Sequence, residues 1–127
     1  MEYEFSATEN QTIDKTGGRA ILYGYTSIVV GIVGILASIG VGVAFGGGAI
    51  LFGVGLAGAC LPTLAAGFWY VQAGQALKGV VATNGDDISL MMVALSRVAS
   101  AFRLEGIATI VALVLGIVLG FALVAHR

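Results

Sequence analysis

The chain has 127 residues, enough for one domain, of which 58% are hydrophobic and only 10% charged, with a mean hydropathy of +1.01; an ordinary soluble domain carries roughly 25% charged residues. That mixture excludes a water-exposed surface, and a net charge of −1 with six scattered basic residues excludes the electrostatic footprint of nucleic-acid binding. A single proline among 20 glycines excludes collagen-like and proline-rich chains, so the glycines belong inside membrane helices.

Residues 1–19 hold four of the seven acidic residues and no long apolar run, which predicts a water-facing segment and not a signal peptide. Ser6-Ala7-Thr8-Glu9 fits a capping box. A short helix from about Ala7 to Thr16 is expected, stopped by Gly17-Gly18, with Lys15 and Arg19 placed to meet lipid headgroups.

Ala20 to Phe45 carries no charge. About 26 helical residues at about 1.5 Å each exceed the approximately 30 Å hydrocarbon core, which predicts a tilted spanning helix. Gly46-Gly47-Gly48 reads as a turn, and residues 49–70 form a second charge-free run, antiparallel to the first. Pro62 removes a backbone hydrogen bond, so a kink is expected near Cys60 to Thr63, where the Thr63 hydroxyl can compensate. Residues 107–125 form the third run, about 19 residues long.

The intervening segment, 71–105, is amphipathic. Val71, Leu77, Val80 and Val81 share one helical face that Gln72, Gln75 and Lys78 avoid, which predicts that the second helix continues past the membrane surface. Thr83-Asn84-Gly85 stops it, and Asp86 or Asp87 can cap a new helix opening at Ile88. In that helix Ser89, Ser96, Arg97, Ser100 and Arg103 gather opposite the apolar residues, and the two arginines argue against a fourth span. A hairpin continuing both spans and a helix lying in the headgroup layer both satisfy the pattern. The similar length of the two arms favours the hairpin, with Gly74, Gly79 and Gly106 as alternative points of bending.

Basic residues near helix ends set orientation: Lys15, Arg19, Lys78, Arg97 and Arg103 fall on one side of a three-span protein, opposed only by Arg127. The N-terminus and the hairpin are therefore expected in the cytoplasm. Tyr23, Tyr25, Trp69 and Tyr70 would form an aromatic belt at the same interface and, with Lys15, Arg19, Arg97 and Arg103, anchor the helices there.

Candidate chemistry is sparse. His126 has no neighbouring ligand at metal spacing, Gly46-Gly47-Gly48 lacks the lysine of a phosphate loop, and Cys60 behaves as a small hydrophobe. The three spans contain no charge of the kind coupled transporters place in the membrane. Arg103 and Glu105, at the start of the third span, read as an interfacial charge pair. No catalytic, cofactor-binding or metal-binding residue is expected.

Small residues that let helices approach are abundant. Ala108, Ala112, Gly116 and Gly120 recur every four residues in the third span; the first has Ser27, Gly31, Ser38 and Gly42 with Gly34 beside them; the second has Gly53, Gly55, Ala57, Gly58 and Ala59. These faces exceed the needs of one three-helix bundle, so some are expected to meet another copy or another subunit.

Asn84-Gly85-Asp86-Asp87-Ile88 followed by Leu90-Met91 and Ala94-Leu95, with an acidic start ending Glu9-Asn10-Gln11-Thr12-Ile13, resembles a widespread set of small bacterial membrane proteins defined as a domain of unknown function. The resemblance covers nearly the whole chain and implies a bacterial inner-membrane location and no chemistry.

The sequence thus predicts an all-α membrane protein: a cytoplasmic N-terminal segment over 1–19, then a single three-span domain over 20–127 with a cytoplasmic amphipathic hairpin between the second and third helices. The expected partners are the lipid bilayer and further copies of the chain, which would form a structural or scaffold element. An accessory subunit of a larger membrane complex and a passive oligomeric pore are the alternatives.

Overall fold

The computed structural model describes residues 5–83 and 87–125, with side-chain surroundings for these except at 48, 49, 116, 119, 120 and 122–125. It consists of three α-helices, α1 (Ala7–Phe45), α2 (Gly48–Ala82) and α3 (Asp87–Ala125). All three are long and apolar enough to cross a membrane. A helix of 39 residues is roughly 58 Å long, about twice the hydrocarbon thickness. Each helix therefore has an apolar half and a polar half, and chain direction brings the start of α1, the end of α2 and the start of α3 to the same side.

The capping box at the start of α1 forms as its sequence predicts. The Glu9 N–H donates to Ser6 Oγ at 3.4 Å, and the Ser6 N–H donates to Glu9 Oε2 at 2.7 Å. The expected break at Gly17-Gly18 does not occur, and α1 runs through both glycines. Gly17 is buried against Gly74, Leu77 and Lys78 of α2. Close packing there offsets the roughly 1 kcal/mol of helix propensity that a glycine lacks.

Gly46 and Gly47 turn the chain with φ of 59° and 52°, left-handed values that favour glycine. α2 then continues through Pro62 and beyond the apolar run to Ala82, where the Thr83 N–H and hydroxyl both donate to the Gly79 carbonyl, at 3.1 and 2.9 Å. The expected turn at Asn84-Gly85 and the cap at Asp86 lie outside the described residues, as do His126 and Arg127. α3 passes unbroken through Gly106.

α2 is central. α1 and α3 each pack along it and, among the described residues, form no helix pair with each other.

Candidate functional site

The positions that pack the helices are spaced by seven residues. On α1 they are Gly17, Gly24, Gly31 and Ser38, all buried; on α2 they are Gly53, Cys60, Gly67 and Gly74, all buried or half-buried. The two sets run antiparallel and meet directly at three levels, Gly17 with Gly74, Gly24 with Gly67 and Ser38 with Gly53. A methyl group built on Gly24 would lie 2.6 Å from the Gly67 carbonyl oxygen, and one on Gly67 would lie 2.7 Å from that of Gly24. At the ends, Gly74 meets the Gly17 carbonyl and Gly53 meets the Ser38 carbonyl, each with 2.6 Å for an added methyl. Cys60 fits between them, its sulfur filling the space beside Gly34. A seven-residue period keeps one face in contact when two helices coil left-handed around each other.

Ser27, Gly31, Ser38 and Gly42, expected as a packing or oligomer face, are all buried. Leu64 lies against Gly31, and Gly42 against Gly53, so α2 of the same chain covers this face. The Ser38 hydroxyl donates to the Gly34 carbonyl at 2.6 Å and offers no free donor.

A second seam joins α2 to α3. Ala66, Ala73 and Val80 of α2 and Asp87, Ala94 and Ala101 of α3, again seven apart, are buried. Ala66 and Ala101 share a cluster with Tyr70, against which Trp69 packs, and Leu90 lies beside Gly79. Gly67 and Gly74 immediately follow Ala66 and Ala73, and consecutive helical residues point about 100° apart. One turn of α2 thus serves glycine contacts on one side and alanine contacts on the other.

The three helices are joined at one aromatic layer. The rings of Tyr23 and Tyr70 stand edge to face with centroids 5.0 Å apart, and Phe102 meets Tyr70 similarly at 6.0 Å. The Tyr70 hydroxyl donates to Glu105 Oε2 at 3.1 Å. Tyr23, Trp69 and Tyr70, expected in the belt, are at this level or beside it, and Tyr23 and Tyr25 are both exposed. Glu105 was expected to pair with Arg103. Two residues apart on a helix they face different directions, and Tyr70 takes that place.

Beyond the layer, α3 stands apart. Among the described residues Ala101 is its last buried position and Ala108 is half-buried; from Ile107 to Val118 the large apolar side chains described are each more than half exposed, on every side of the helix. Ala112 is exposed, while Gly116 and Gly120 lie outside the residues whose side-chain surroundings are described.

The chain matches no family model, no curated protein and no solved structure.

The remaining expected anchors lie in the polar halves. Lys15, Arg19, Arg97 and Arg103 are exposed, and Lys78 reaches Asp14 at 3.7 Å across the α1–α2 seam. Among the described residues no group of three or more histidine, cysteine, aspartate or glutamate side chains could hold a metal ion. An apolar cleft of about 360 Å³ opens at the glycine turn between Ser38, Gly42, Gly53 and Ala57. The seven-residue seams were legible in the sequence as recurrences of glycine and alanine, but reading small residues at four-residue spacing passes over them.

Proposed function

We propose that this protein is a non-enzymatic, multi-pass protein of the bacterial cytoplasmic membrane that self-associates through its third span and serves as a structural or scaffold element. The N-terminus and the hairpin over 71–105 lie in the cytoplasm on this reading, which rests on the one-sided basic residues. The bacterial placement rests on the resemblance carried by Glu9–Ile13 and Asn84–Ile88.

One observation carries the reading. The buried small residues of α1 face α2 within the chain, whereas the large apolar side chains described in the spanning half of α3 are each more than half exposed. Helices in lipid gain nothing from the hydrophobic effect by pairing, and pair where small residues let backbones approach. The ladder Ala108, Ala112, Gly116, Gly120 begins where the α2–α3 seam ends, and its four-residue period suits a right-handed crossing, unlike the seven-residue seams inside the chain.

Light scattering of the protein extracted in mild detergent tests this directly. A single species at a fixed multiple of the 12.9 kDa chain is expected. A monomer would refute self-association, and stoichiometric foreign chains would favour an accessory subunit. Ion flux through liposomes carrying the purified protein would favour a pore.

A further inference from the structure

We propose that the outer face of α1 holds an anionic phospholipid, with its phosphate on Lys15 and Arg19 and an acyl chain along the apolar track below them. Gln11, Thr12, Lys15, Thr16 and Arg19 line one open cleft of about 350 Å³ on this helix. Both cations are exposed, and among the described residues neither makes an ion pair. The nearest acids are directed elsewhere: Asp14 reaches Lys78 on α2, and Glu9 is held by Ser6. The Thr12 and Thr16 hydroxyls donate to the Thr8 and Thr12 carbonyls, so the two cations are the charged donors of the cleft. Its charge is therefore complementary to an anion.

Position selects a lipid over a free anion. Arg19 lies one helical turn, roughly 6 Å, before Tyr23, which belongs to the aromatic layer with Tyr70 and Glu105. Glu105 is the last charge before the apolar half of α3, so Arg19 stands just outside the hydrocarbon, at phosphate depth. The same face of α1 continues through Leu22, Thr26, Val29 and Val33, spaced alternately by three and four residues, and all are exposed. The Thr26 hydroxyl donates to the Leu22 carbonyl and adds no free donor to this track. A headgroup site that runs without interruption into an apolar track fits a molecule with a phosphate at one end and an acyl chain at the other.

The test uses the full-length protein in micelles equilibrated with phosphatidylglycerol and phosphatidylcholine of the same acyl chains, with retained lipid counted by native mass spectrometry. Phosphatidylglycerol is expected to be preferred, and Lys15→Gln with Arg19→Gln should lower that preference. A cation near an anionic surface contributes about fivefold, so the pair contributes roughly twenty-five-fold. Arg97→Gln should leave the preference unchanged, and helix content should be preserved in every variant because all three side chains are exposed. Excess inorganic phosphate or glycerol phosphate should fail to displace the lipid. The proposal is overturned by an unchanged preference in the Lys15/Arg19 double variant, by loss in Arg97→Gln instead, or by displacement with either water-soluble phosphate.

Discussion

Gly24→Ala should destabilise the protein although alanine is the better helix former. The added methyl would lie 2.6 Å from the Gly67 carbonyl oxygen and 2.8 Å from the Val71 nitrogen, with the Val71 side chain at 2.7 Å. Comfortable carbon-to-oxygen contacts are about 3.3–3.6 Å, so α1 and α2 must separate by about 0.7 Å or more at this level. Two of the three obstructing atoms are backbone and cannot rotate aside. Overpacking of this kind costs about 1–3 kcal/mol, against which alanine recovers at most about 1 kcal/mol of helix propensity. A net loss of up to about 2 kcal/mol is expected. Gly40, on the same helix with nothing within 4 Å of an added methyl, supplies the control: Gly40→Ala should be neutral or stabilising by up to about 1 kcal/mol. Gly24→Ala with Gly67→Ala should cost less than the sum, because each methyl faces the other residue's carbonyl and one separation relieves both. Titration from mild detergent into sodium dodecyl sulfate, followed by Trp69 fluorescence and helix content, measures these shifts. If Gly24→Ala and Gly40→Ala move the midpoint equally, the close seam is wrong.

Tyr70→Phe should cost about 1–2 kcal/mol in the same titration by removing the bond to Glu105, while Glu105→Gln, which keeps an acceptor, should cost less. Ser6→Ala should free the first amides of α1, speeding hydrogen exchange at residues 7–10 by an amount equivalent to about 1 kcal/mol without moving global unfolding. For topology, in a Cys60→Ala background Phe45→Cys should react with an impermeant thiol reagent outside intact cells and Ser96→Cys should not; reaction at both would exclude the proposed orientation. Phe45 is chosen because the left-handed φ at Gly46 and Gly47 would strain a cysteine there.

The turn at Gly46-Gly47 and the cap at Ser6 were legible because each depends on residues adjacent in sequence. The continuity of α1 was not. Gly17-Gly18 reads as a helix stop until Gly74 is known to lie against Gly17, and that contact joins positions 57 residues apart (74 minus 17). The same holds for Glu105, whose partner Tyr70 is 35 positions away, while its near neighbour Arg103 points in another direction. The glycines of α1 were legible as packing residues. Their partner was not, because small residues mark a close approach without naming the helix that makes it.

The central proposal, self-association through α3, is tested most directly by the mass of a Gly116→Leu, Gly120→Leu variant in mild detergent. Leucine favours lipid, so membrane insertion should be retained, whereas its bulk would hold neighbouring backbones apart. The account predicts a species of lower mass than the wild-type assembly, with membrane insertion intact. A variant that inserts normally and keeps the wild-type mass would contradict it.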